Sequence, residues 1–279
     1  MRIWVTHSTV YRYSGPVYLE PHVVRLRPRQ DGTQRLDRFA LEITPAPAGQ
    51  TECLDQDGNT AVEAWFREPV ESLAVRSSFA VETLRENPFD FLATAPATLP
   101  MVYADPLGAA LAPYLAAADL PDPVRELGER IGSAAGGQTL PFLTELNRHL
   151  YENFRHAVRD DGPPHPPEFT LHEREGTCRD LAALFCAVSR AMGIAARFVS
   201  GYEREASTQE RAYMHAWAEV YIPGGGWRGY DPTQGLAVAQ SHVAVAAAAD
   251  PRLAAPITGT YRGPETATME FAIELAVGE

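Results

Sequence analysis

One cysteine, one histidine and one aspartate occur in that order between Gly176 and Asp231. Each stands at the edge of a readable element: Cys178 in Gly176-Thr177-Cys178-Arg179-Asp180, His215 in Met214-His215-Ala216-Trp217, and Asp231 in Gly229-Tyr230-Asp231-Pro232-Thr233. A thiol nucleophile needs a sulfur, a base to take its proton and a carboxylate to orient the base. After Cys178, the apolar residues Leu181, Leu184, Phe185, Val188 and Met192 recur at helical spacing, and Gly193 follows as a stop. Thr177 suits the N-cap, with Asp180 three residues on as the capping-box acid. Cys178 therefore falls in the first helical turn, where free N–H groups and the helix dipole favour thiolate over thiol. Cys186, on the same helix, reads as a buried structural cysteine, and that plainer role is the alternative for Cys178 taken alone.

The histidine lies in an alternating stretch, 212–222. His215, Trp217, Glu219 and Tyr221 share one face of it, and Ala216, Ala218, Val220 and Ile222 share the other. Pro223-Gly224-Gly225-Gly226 then signals a hairpin whose return strand runs from Trp227 to Asp231. Register decides the role of the aspartate. A four-residue loop pairs Asp231 with Ala218, on the wrong face. A three-residue loop with a bulge pairs it with Trp217, a diagonal neighbour of His215 within side-chain reach. If the longer loop holds, Glu219 becomes the candidate third member.

Several segments resemble the transglutaminase-like superfamily in its bacterial branch: Cys178-Arg179-Asp180-Leu181, the run from Arg190 to Tyr202, His215-Ala216-Trp217-Ala218-Glu219-Val220-Tyr221, and Asp231-Pro232-Thr233. The resemblance is dense over roughly 140–235 and weaker over the N-terminal strands. It implies an α+β, papain-like thiol fold whose nucleophile helix packs on an antiparallel sheet, preceded by a β-rich region. Cys178 would be nucleophile, His215 general base and Asp231 orienter. Arg179 and Leu181 stand where members more usually carry glutamine and phenylalanine, which bears on substrate preference more than on thiol chemistry.

Residues 1–84 read as a β-rich domain with alternating strands around Ile3–Tyr13, Leu41–Ile43, Thr60–Phe66 and Leu73–Val81. His7 and His22 read as structural there. Residues 85–138 form a connector broken by Pro88, Pro96, Pro100, Pro106, Pro113, Pro121 and Pro123, with room for short helices near Leu107–Ala118 and Pro123–Ile131. Residues 139–279 read as the catalytic core. They include a helix near Thr139–Phe154, a stiff loop at 160–167 that could border the cleft, a strand-like stretch at His242-Val243-Ala244-Val245 and a final strand carrying Met269, Phe271, Ile273, Leu275 and Val277 on one face.

The formal net charge of −12 argues against nucleic acid and anionic membrane as partners. No apolar run suits a spanning helix, the first residues alternate like a strand rather than a signal peptide, and three cysteines make no disulfide framework. Cytoplasmic residence is the expectation. Every one of the 24 basic residues is arginine. GC-rich codon bias explains this simply; an enzyme passing acyl groups to lysine amines would also gain by having none.

The expected function is attack of Cys178 on the amide of a protein or peptide, giving a thioester that water or an amine resolves. The contrasting class is a binding module that kept the fold and lost activity. Cys178, His215 and Asp231 could also ligate zinc, but no CxxC or HExxH spacing supports it, and no metal, nucleotide or other cofactor is expected.

Overall fold

The computed structural model of the chain describes residues 1–94, 98–117, 119–204 and 212–278. The N-terminal alternating stretches form β1 (Arg2–Leu19), β2 (His22–Val24), β3 (Gln34–Thr44), β4 (Gly49–Leu54), β5 (Thr60–Trp65) and β6 (Val70–Thr83). The middle of the chain supplies α1 (Leu107–Leu111), α2 (Asp122–Ala134), α3 (Thr139–Asn153), β7 (Arg155–His156), α4 (Pro167–Glu173), β8 (Glu175–Gly176) and α5 (Cys178–Ala191). Then follow β9 (Ala196–Glu203), β10 (His215–Ile222), β11 (Gly226–Asp231), β12 (Leu236–Ala237), β13 (His242–Ala248), β14 (Ile257–Thr258), β15 (Tyr261–Arg262) and β16 (Ala267–Gly278). The short helix expected near Leu107 breaks into α1 and a 3-10 turn, Ala112–Leu115, because Pro113 cannot continue an α-helix. Its expected end, Ala118, and Pro96 of the connector lie outside the described residues.

The architecture is α+β, with a core of helices packed on an antiparallel sheet behind a β-rich N-terminal region. The core sheet has the order β12-β11-β10-β9-β13. Helix α5 lies on it: Leu181, Leu184, Phe185 and Val188 meet Ala218, Val220 and Ile222 in one buried cluster that also takes in Leu127 of α2 and Leu146 of α3. The helical stripe and the strand alternation read from the sequence are the two halves of this interface. Each buried aliphatic of this size contributes roughly 1.5–3 kcal/mol. The stripe therefore anchors the start of α5, and with it the cysteine, against the sheet.

The β domain is two antiparallel sheets, one ordered β15-β1-β6-β3 with β16 also on β1, the other β14-β2-β5-β4. Val17, Leu19, Val24, Leu26, Val62 and Leu73 fill the space between them. Ile3, Val5, Phe79 and Val81 on the opposite part of the first sheet pack on Tyr202, Val243 and Val245 of the core. Two buried amides finish that junction. Gln34 accepts from the Ala244 N–H and donates to the Ala244 carbonyl, both at 2.8 Å. Asn59 does the same to Ala247 at 2.8 and 2.9 Å. The backbone of β13, an edge strand of its own sheet, is thereby satisfied by side chains of the β domain.

The division of the chain at 139–279 needs correcting at both ends. Strands β15 and β16 pair with β1, and β14 pairs with β2, so the last strands rejoin the N-terminal sheets. At the other end α2, placed in the connector by its prolines, packs on α5, and Tyr103 donates to the Tyr221 carbonyl at 2.7 Å and accepts the Ala195 N–H at 3.0 Å. Alternation shows that a segment is a strand, but not which sheet it will join.

Candidate active site

Helix α5 begins at Cys178, with Thr177 extended ahead of it. Asp180, 1% exposed, gathers the surroundings: one carboxylate oxygen accepts the Thr177 N–H at 2.7 Å and the Thr177 hydroxyl at 2.8 Å. The other accepts the His165 N–H at 2.7 Å and the Arg159 guanidinium at 3.2 Å. The capping acid thus ties the start of the helix to the proline-rich loop at 157–166. Arg179 holds the same loop by donating to the carbonyls of Arg159 at 2.7 Å and Asp161 at 3.1 Å. The loop is thereby held against the two residues that follow the cysteine, Arg179 and Asp180.

The hairpin takes the three-residue loop. Ile222 pairs with Gly226 and Ala218 with Tyr230, which sets Asp231 across from Trp217. Gly224 has φ 86°, and a Cβ there would collide with the Leu92 carbonyl oxygen, so a side chain would both strain and clash. With this register, His215 donates through Nε2 to Asp231 Oδ2 at 2.6 Å. Asp231 is fully buried, and its Oδ1 accepts the N–H groups of Thr233 at 2.9 Å and Gln234 at 3.3 Å. Glu219, the alternative third member, is engaged elsewhere: it pairs with Arg197 of β9 at 2.6 Å.

Burial alone would push the Cys178 thiol up. The hydrogen bond with His215, the charges of His215 and Arg179 and the Ala216 N–H outweigh it, and the thiol falls below its ordinary value. Burial would likewise lower His215, but the charge and hydrogen bond of Asp231, joined by those of Cys178, raise it well above the usual imidazole value. Asp231 is held far below the carboxylate range: against burial stand the charge and hydrogen bond of His215, then the hydrogen bond of His242. The three directions agree, each favouring the charged partner: thiolate, imidazolium and carboxylate. Cys186 shows burial without such partners, its thiol pushed up to about 12.

A fourth residue has no counterpart in the sequence reading. His242, at the start of β13, donates through Nε2 to the same Asp231 Oδ2 at 3.0 Å. Strands β12 and β13 are opposite edges of the sheet, so residues 238–241 carry the chain across to bring this histidine in. Gly201 makes the packing beneath feasible, since a Cβ there would meet the Trp217 ring at 2.8 Å. Trp217 lies edge-on to His242 at 5.0 Å. Among the described residues, His215, Asp231 and His242 are a group whose donor atoms fall within 4.8 Å of one another. Ligands sharing a tetrahedral zinc at about 2.0–2.1 Å would sit roughly 3.3 Å apart. The contacts of 2.6 and 3.0 Å are those of protons held between nitrogen and oxygen.

Residues 3–82 match the bacterial transglutaminase-like N-terminal region and residues 126–232 match the transglutaminase-like superfamily. An uncharacterized protein of Mycobacterium tuberculosis is 30% identical over 293 residues, covering 98% of this chain and 92% of that one. The chain belongs to the transglutaminase-like superfamily. A Protein-glutamine gamma-glutamyltransferase of Pseudomonas aeruginosa is 32% identical over 101 residues, 33% of this chain and 15% of that protein. Among solved structures, a protein from Cytophaga hutchinsonii provisionally assigned as a cysteine protease shares the fold with a TM-score of 0.74 at 21% identity, over 99% of this chain and 90% of that one.

Proposed function

We propose that the chain is a thiol acyl-transfer enzyme with Cys178 as nucleophile, His215 as general base and Asp231 as the carboxylate that orients the base. The observation that carries this reading is the hairpin register: it aims His215 Nε2 at the buried Asp231, 2.6 Å away, and leaves the other ring nitrogen for the Cys178 thiol. In the cycle that follows, the Cys178 sulfur attacks the carbonyl carbon of a peptide or protein amide while His215 holds the thiol proton. The tetrahedral oxyanion meets the N–H of Cys178, which the start of a helix leaves without an intrahelical acceptor. His215 then gives its proton to the departing amine, and the thioester remains. Water activated by His215 releases the acid; a primary amine in its place gives a new amide.

Hydrolysis is the simpler outcome, because Cys178 is part-exposed and water reaches the thioester. Transfer to an amine is favoured by one separate observation, the absence of lysine from a chain with 24 arginines, which spares such an enzyme from modifying itself. The test is incubation with a peptide library, with and without a primary amine, read by mass spectrometry. Released acids mean hydrolysis, and amine adducts mean transfer. If neither product forms while an acyl-thiol probe also fails to label Cys178, the chain is a binding module.

A further inference from the structure

The proposed cycle leaves one buried imidazole unused. The His242 side chain is fully shielded from solvent, and it shares with His215 a single acceptor, Asp231 Oδ2. A carboxylate oxygen only accepts, so both Nε2 atoms carry protons. On the far side of the ring, His242 Nδ1 meets the Ser241 hydroxyl at 2.8 Å. That contact fixes the orientation of the ring and keeps Nε2–H aimed at Oδ2. Oδ1 is already occupied by the Thr233 and Gln234 N–H groups. With the four donors in place the carboxylate cannot turn, and Oδ2 stays aimed between the two rings.

Two donors on one oxygen also divide what it offers to each. Hydrogen bonds to the charged form of a carboxylate make it less basic. An Asp231 serving His215 alone would hold the His215 proton harder, yet in the cycle above His215 must surrender that proton to the departing amine. We propose that His242 is a positioning residue that acts through Asp231, fixing Oδ2 toward His215 and moderating how firmly the carboxylate holds the His215 proton. This rests on the reading of Cys178, His215 and Asp231 given above. The other titratable groups around the set are Cys178 and Arg179 of α5, His156 of β7, and Glu203, which sits opposite His242 in the β9 pairing. Arg179, His156 and Glu203 are left unchanged in every variant that tests the role of His242, and Cys178 is replaced only in the background of the titration.

The experiment is an NMR titration of the His215 ring in the full chain, in a Cys178→Ala background that removes coupling to the thiol. His242→Phe keeps a flat ring and removes the N–H; His242→Gln offers an amide N–H near the place of Nε2. His242→Phe is expected to raise the His215 midpoint by about one unit, a tenfold change in proton affinity. His242→Gln should restore most of the original value. With Cys178 present, His242→Phe should lower kcat while KM stays close to its original value. A His215 midpoint that is unchanged or lowered in folded His242→Phe overturns the proposal, as does His242→Gln behaving like His242→Phe. Should His242→Phe not fold, Ser241→Ala reads the same coupling, with a smaller upward shift expected and no shift refuting it. Failure of the proposed function itself would look different: Cys178 in the unaltered chain would label no faster than Cys53, whatever His215 does in the titration.

Discussion

At the scale of single residues, Cys178 and Cys186 occupy one helix eight positions apart and have opposite fates. Burial raises both thiols, but only Cys178 has an imidazole, a guanidinium and a backbone N–H to stabilise its thiolate. Iodoacetamide near neutral pH is expected to label Cys178 well ahead of both Cys186 and the exposed Cys53; equal rates in the folded chain would count against a catalytic thiol. His215→Ala should lower turnover by roughly 10²–10⁴-fold, the usual worth of general-base help. Asp231→Asn keeps the shape of the side chain and removes its charge. It should therefore weaken the thiolate–imidazolium pair and slow Cys178 labelling, with the rate recovering only as pH rises toward the ~8.5 of a free thiol. A plain turn residue before Pro232 would instead change stability and leave the labelling profile where it was.

At the scale of elements, the start of α5 is held by Asp180 rather than by α5 packing alone. The carboxylate is buried, and the N–H groups of Thr177 and His165 together with Arg159 hold it below the usual carboxylate range against the burial that would raise it. Its contribution to stability is present above the unfolded-state value and is lost as pH falls through the lower folded value. Asp180→Asn removes the charge and leaves one carbonyl oxygen where two carboxylate oxygens accepted from Thr177, His165 and Arg159. A loss of roughly 2–4 kcal/mol is expected from urea unfolding, with faster proteolysis within 157–166 as the loop comes away. Unchanged unfolding and unchanged cleavage would show that the loop is held by other contacts, among them those of Arg179.

At the scale of the whole molecule, the β domain and the core meet through a small buried polar set as well as through aliphatics. His7 of β1 lies 2.7 Å from the Tyr202 hydroxyl of β9 and 3.1 Å from the Thr9 hydroxyl. Burial lowers the His7 ring to about 4. The folded chain therefore resists a proton that the unfolded chain takes up near 6.5. The sign follows: this contribution to stability is intact above about 6.5 and is lost as pH falls from there toward 4, by roughly 3 kcal/mol in all. Urea unfolding followed from pH 7 to pH 4 should show His7→Gln losing less stability than the unaltered chain over that interval. Parallel pH profiles for the two would mean that His7 does not carry the effect.

What the sequence determined by itself was local. The 3.6-residue stripe after Cys178, the Thr177 and Asp180 pair before it, and the two-residue alternation around His215 are each written in neighbouring positions, because helix and strand geometry repeat over a few residues. They were enough to place the sulfur at a helix start, the imidazole on a strand and the family in view. The hairpin register was narrowed to two choices and not decided, since both loops are open to a Pro-Gly-Gly-Gly turn; the close approach of Gly224 to the Leu92 carbonyl and the partners of Asp231 select the shorter one. Tertiary structure alone decided the rest. The final strand has an alternation that would suit any sheet edge, and it lies on β1 rather than in the core because both of its possible neighbours are distant in sequence. Gln34 and Asn59 look like loop polars until β13 is laid beside them, 210 and 188 residues away. His242 belongs to the same class. Its flanking Val243 and Val245 announce a buried strand, but its contact with Asp231 exists only because the chain between them crosses the sheet from one edge to the other, and no periodicity in a linear pattern records a crossing.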